Sequence, residues 1–145
     1  MTAFPSLRRS HVVYVDAKIT GMQGDASQRK AFVGYVVVGR EDLSDIDQVP
    51  ASETDEAEEQ AILFAIKKLR GPLERFTVIC DHESAVTKVN WKRDDGKRAK
   101  RDKVLPVIWK ARDEKKGAIK VRPLGGNPAH AFLNKKLKEL EYGMI

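Results

Sequence analysis

Two β-rich runs open the chain, His11 to Ile19 (HVVYVDAKI) and Ala31 to Gly39 (AFVGYVVVG), and they constrain the fold more than any other feature. Valine, isoleucine and aromatic residues suit a pleated, half-buried surface. Thr20 to Lys30 between them holds two glycines and many polar residues, so it reads as a turn or loop. The pair is expected to form an antiparallel hairpin with a long connection. Arg40 to Thr54 is polar and acidic, with room for a short edge strand around Ile46 to Val49. The period then changes. Glu56 to Arg70 reads as a helix, with Ser52, Thr54 and Asp55 as candidate caps and acidic residues in the first turn, where the dipole favours them. Gly71-Pro72 stops it. Phe76 to Cys80 (FTVIC) reads as a short buried strand and His82 to Asn90 as a short helix. Val104 to Lys116 follows as a helix with Pro106 in its first turn. Ala118 to Pro123 is a last strand. Asn127 to Tyr142 is a final helix with Leu133, Leu137 and Leu140 at helical spacing. This order predicts an α/β fold with a mixed sheet, antiparallel at its start and parallel afterwards.

Length and composition bound the rest. At 145 residues the chain suits one domain, and 41% hydrophobic content is enough for one core. No apolar run approaches the roughly 18–20 residues of a membrane span, and Met1 to Ser10 lacks the apolar middle of a secretory signal. The lone cysteine, Cys80, excludes an internal disulfide and a CxxC metal site. It sits in an apolar run and reads as a buried small hydrophobe. A cytoplasmic monomer with no membrane partner is the expectation. The net charge of +6 favours polyanionic partners, nucleic acid first among them, although many small proteins are basic without a binding reason.

Three acidic residues stand where a carboxylate has little structural reason to be. Asp16 interrupts an apolar strand and shares a face with Val12 and Tyr14 by the two-residue period. The plain alternative is an aspartate at an exposed edge. Glu58 falls near the centre of the stripe made by Ala61, Ile62, Ala65, Ile66 and Leu69, so a helix packed on a sheet would aim it at that sheet. Glu59, a quarter turn away, is expected nearer solvent. The plain alternative is that Glu58 only favours the helix dipole. Asp81 follows the strand Phe76 to Cys80, at the carboxyl end where open α/β sheets place their ligands. On its own it reads more readily as an ordinary helix N-cap. Taken together, two carboxylates from strands and one from a helix form a plausible hard-cation site, because Mg²⁺ takes a few carboxylates plus water and phosphate oxygens.

The chain resembles the type I ribonuclease H family from about Val12 to Leu137. YVDAKI and FVGYVVV are similar to the family's opening hairpin. Ala57-Glu58-Glu59-Gln60-Ala61 fits the Ala-Glu-two-residues-Ala start of its helix. VICDHESAV fits the strand that ends in an aspartate before a short helix. Trp91 to Lys103, followed by Trp109, resembles its basic, tryptophan-containing protrusion. GGNPAHAFLNKKL resembles its final helix. The resemblance implies a ribonuclease H-like five-stranded mixed sheet flanked by helices, a single domain over 1–145. It also implies a metal-dependent endonuclease that cuts the RNA strand of RNA–DNA hybrids. Asp16, Glu58 and Asp81 would hold Mg²⁺ or Mn²⁺, with one ion activating water and the other stabilising the leaving 3′ oxygen. Three departures stand out. The family's fourth acid, early in the last helix, is replaced by Ala129, His130 and Ala131. Its loop histidine is absent from Leu124-Gly125-Gly126, and its Gly-Ser after the first aspartate is Ala17-Lys18. His130 is the candidate substitute for either missing group, as metal ligand or proton carrier. The alternative is a surface histidine at a helix start.

Residues 92–103 carry seven Lys or Arg and three Asp, a local net of +4. Lys92, Arg93, Lys97, Arg98, Lys100 and Arg101 are the expected phosphate contacts, with Trp91 stacking on a sugar or base. Without the resemblance, a solvated charged loop beside a core tryptophan explains the segment as well. Lys135, Lys136 and Lys138 form a second basic cluster. Three rival readings stay open: the same fold with decayed chemistry, binding nucleic acid without cutting; another nuclease of this fold acting on DNA; and an unrelated small α/β nucleotide-binding domain. The absence of a phosphate-binding glycine loop weakens the last.

Overall fold

A computed structural model of the chain describes residues 10–20, 30–50, 54–90, 105–114, 118–123 and 128–143. Five strands form one sheet: β1 (His11–Thr20), β2 (Lys30–Val37), β3 (Asp45–Val49), β4 (Phe76–Cys80) and β5 (Ile119–Pro123). Their order across the sheet is β3-β2-β1-β4-β5. β1–β2 and β2–β3 pair antiparallel, and β1–β4 and β4–β5 pair parallel. The mixed sheet expected from the order of elements is therefore present, including the short edge strand. β2 stops at Val37, two residues earlier than expected. Val38-Gly39 turns instead, with Gly39 at φ +83°, a conformation glycine adopts without steric cost.

Four α-helices lie among the described residues: α1 (Thr54–Leu69), α2 (Glu83–Asn90), α3 (Leu105–Glu114) and α4 (Pro128–Gly143). None is long and apolar enough to cross a membrane. The faces of the sheet follow from register, since residues opposed across an antiparallel ladder share a face. Val15 opposes Tyr35 and Ala17 opposes Val33, while Asp16 opposes Gly34. Val13, Val15, Val33, Tyr35 and Val37 form one core with Ile62, Ala65, Ile66 and Leu69 of α1 and with Phe76, Val78 and Cys80 of β4. α1 therefore covers the Val15 face, and α4, whose Leu133 lies over Gly34, covers the Asp16 face.

α1 also packs against α2 and α3, and this second layer overturns the expectation for Glu59. Glu59 is only 2% exposed, and Leu63 and Phe64 are buried as well. A helix between a sheet and other helices buries more than a single stripe. Polar contacts join the two outer helices to each other and to β5. Trp109 Nε1 of α3 donates to the Val89 carbonyl near the end of α2 at 2.8 Å. Asn90 Nδ2 donates to the Val121 carbonyl at 3.0 Å.

Candidate active site

β1 is an inner strand, so the exposed-edge reading of Asp16 does not hold: the residue is 5% exposed. β4 pairs with β1 only as far as Cys80, opposite Val15. β1 runs on past that point. Hydrogen bonds from the Ala17 backbone favour the charged forms of both Asp16 and Glu58. The end of β4 thus leaves backbone donors of β1 for side-chain carboxylates to use. α1 delivers Glu58 to this place from the opposite face, as its position on the apolar stripe predicted, and Glu58 is 6% exposed. Asp81 follows directly and is exposed. α2 opens at Glu83, and the His82 carbonyl accepts from the Val86 amide at 3.2 Å. Asp81 therefore stands outside the helix rather than capping it.

The ligand atoms of Glu58, Cys80 and Asp81 all lie within 4.8 Å of one another. The buried Cys80 thiol donates to Glu58 Oε2 at 3.3 Å. Burial pushes the Glu58 carboxyl up to about 8, and the charges of Asp16 and Asp81 push the same way. Burial also raises Asp16, against a lowering hydrogen bond from His130. Burial first, and the Glu58 charge second, push the Cys80 thiol well above its ordinary value. Cys80 therefore stands as a neutral thiol that donates to Glu58. What remains within that distance is the pair of Glu58 and Asp81 carboxyl groups, with Asp16 outside the 4.8 Å group but near enough for its charge to act on Glu58. Such a set fits a divalent cation of the Mg²⁺ or Mn²⁺ kind, which relieves the repulsion.

His130 reaches this site from α4. Its Nδ1 lies 2.8 Å from Asp16 Oδ2, although the side chain is 68% exposed. Asn134 Nδ2 lies 3.2 Å from His130 Nε2, and Lys18 Nζ donates to Asn134 Oδ1 at 2.9 Å. Three contributors escaped the sequence: Cys80, Asn134 and Lys18. Their signals were present, since Cys80 precedes Asp81, Asn134 is one helical turn after His130, and Lys18 shares a strand face with Asp16. The expected nucleic-acid contacts Trp91, Lys92, Arg93, Lys97, Arg98, Lys100 and Arg101 lie outside the described residues.

The chain matches no protein-family model and no curated protein. Its likeness is to solved structures. LC11-RNase H1, from a compost metagenome and solved with an RNA/DNA hybrid, is 16% identical at a TM-score of 0.66, covering 87% of this chain and 95% of that one. RNase H1 of the halophilic archaeon Halobacterium salinarum NRC-1 is 20% identical at 0.63, covering 90% and 99%. The foamy viral protease-reverse transcriptase with an RNA/DNA hybrid is 14% identical at 0.65, covering 93% of this chain and 20% of that one. The fold is ribonuclease H-like.

Proposed function

We propose that residues 1–145 form a single ribonuclease H-like domain that acts as a metal-dependent endonuclease on the RNA strand of RNA–DNA hybrids. One observation supports the reading: Glu58 of α1 and Asp81 at the end of β4 come within 4.8 Å of each other, and the charges of Asp16 and Asp81 both act on the buried Glu58. A buried carboxylate is costly unless a cation or a proton neutralises it. Asp16, Glu58 and Asp81 would hold Mg²⁺ or Mn²⁺. Ions held there supply positive charge to activate water and to stabilise the leaving 3′ oxygen. Cys80 keeps Glu58 oriented, and His130 holds Asp16. Trp91 and the basic residues from Lys92 to Arg101 would grip the backbone and set a steep salt dependence. A cytoplasmic monomer without a membrane partner accompanies this reading.

The test is a strand-labelled hybrid incubated with Mg²⁺, with Mn²⁺ and with a chelator. Metal-dependent cutting of the RNA strand alone, abolished in Asp81→Asn, is the expected result. A second reading is favoured by one specific feature: α4 presents an imidazole to Asp16 where the resemblance calls for a carboxylate. Tight hybrid binding with no cutting under either metal would establish that non-catalytic module. Cutting of branched or duplex DNA in preference to the hybrid would make the chain a DNA-processing nuclease of the same fold.

A further inference from the structure

Asp16 and Lys18 lie on one face of β1, and His130 and Asn134 on one side of α4. A strand rises about 3.4 Å per residue and a helix about 1.5 Å, so two steps of strand (~7 Å) nearly match four of helix (~6 Å). Two cross-contacts can therefore form side by side, and they do: His130 to Asp16 at 2.8 Å and Lys18 to Asn134 at 2.9 Å. A third contact, from Asn134 to His130 at 3.2 Å, joins them.

The chemistry of these groups determines where the protons sit. An ammonium only donates, so the Asn134 atom facing Lys18 is the carbonyl oxygen. The amide NH₂, which also only donates, then faces His130 Nε2. That nitrogen must accept, so the imidazole proton is on Nδ1 and is donated to Asp16 Oδ2. Turning the amide round would set an NH₂ group against the ammonium. We propose that Lys18 and Asn134 on one side, and the Asp16 acceptor on the other, fix the tautomer of His130, so that the imidazole serves as a positioning residue for Asp16 and not as a ligand of the cation. Both ring nitrogens are engaged within the chain, and neither offers a lone pair without breaking a contact. The chain would then replace the family's fourth carboxylate with a donor to the first one. The role in positioning a metal ligand rests on the reading under Proposed function; the tautomer does not.

Imidazole ¹⁵N resonances of the full chain, recorded without metal at a pH where the ring is neutral, test the proposal directly. The expected result is a protonated Nδ1 and an accepting Nε2 for His130, retained when Mg²⁺ is added to saturation. Lys18→Met, which lets the Asn134 amide turn round, should weaken the contact at Nε2 and shift that resonance toward a nitrogen without a protein donor. Asn134→Asp, which sets a carboxylate against Nε2 as Asp16 is set against Nδ1, should put a proton on Nε2 as well. A wild-type proton on Nε2 in place of Nδ1, an Nε2 still without a proton in Asn134→Asp, or a His130 nitrogen shifted to a metal-bound position by Mg²⁺ would overturn it. A correct tautomer with no Mg²⁺ response anywhere in the spectrum would remove the metal reading, and the positioning role with it.

Discussion

Leu133 of α4 occupies the space that Gly34 of β2 leaves above the sheet: a Cβ at position 34 would lie 3.3 Å from Leu133 Cδ1 and 3.1 Å from Ile46 Cγ2. Gly34 is also the direct ladder partner of Asp16. The missing side chain therefore lets α4 settle close enough for His130, one turn before Leu133, to reach Asp16.

Gly34→Ala should push α4 outward by a few tenths of an ångström. Overpacking costs about 1–3 kcal/mol, and the lost flexibility of glycine offsets about 0.5–1 kcal/mol of that. A net loss of about 1 kcal/mol is expected in denaturant unfolding. The His130–Asp16 hydrogen bond should weaken in the same variant, visible as faster exchange of the Nδ1 proton. Unchanged exchange would show that the helix position does not depend on this glycine.

Glu58 makes stability depend on pH in a defined direction. Its folded value of about 8 lies above the ordinary 4.5, so the folded state holds the proton more tightly than the unfolded chain. Unfolding free energy should be highest below pH 4.5 as far as this group is concerned. It should fall across the window from there to about 8, by up to about 1.4 kcal/mol per pH unit. Asp16, also raised, adds to the same slope at its lower end. Glu58→Gln should flatten the slope, and so should saturating Mg²⁺, which favours the carboxylate. Urea titrations at a series of pH values measure it.

Cys80 should be chemically silent in the native protein. It is fully buried, donates to Glu58 and has its thiol pushed up, all of which disfavour the reactive thiolate. Labelling by a thiol reagent should be at least ~100-fold slower than in the unfolded chain, limited by opening of the structure. Cys80→Ser keeps a donor to Glu58 and should retain cleavage, whereas Cys80→Val removes it and should raise the metal concentration needed for half-maximal activity.

Asp81 separates function from stability. It is exposed and outside α2, so Asp81→Asn should change unfolding free energy by no more than about 0.5 kcal/mol. Mg²⁺-dependent cleavage should nevertheless be lost. A variant that is both inactive and clearly destabilised would make Asp81 a structural residue.

The elements were legible from the sequence because each is encoded locally. The β-rich runs mark β1 and β2, the 3.6-residue stripe marks α1 and aims Glu58 inward, and FTVIC followed by Asp81 marks a buried strand with an acid at its carboxyl end. These signals need only a few neighbouring residues. The burial of Glu59 was not legible, because it depends on α2 and α3 covering the outer side of α1. Nor was the thiol donor to Glu58, which depends on the parallel register that sets Cys80 opposite Val15.

His130 marks the boundary most sharply. The sequence by itself determined an imidazole near the start of the last helix and an aspartate in the first strand, 114 residues apart. Only the tertiary structure decided that they touch. That contact requires α4 to lie on the Asp16 face, at the depth Gly34 permits, in the rotation that Leu133 sets by packing. Local periodicity specifies which side of an element is apolar. The distance and rotation at which two layers meet are set by the shapes of side chains far apart in the chain, and close packing admits few solutions.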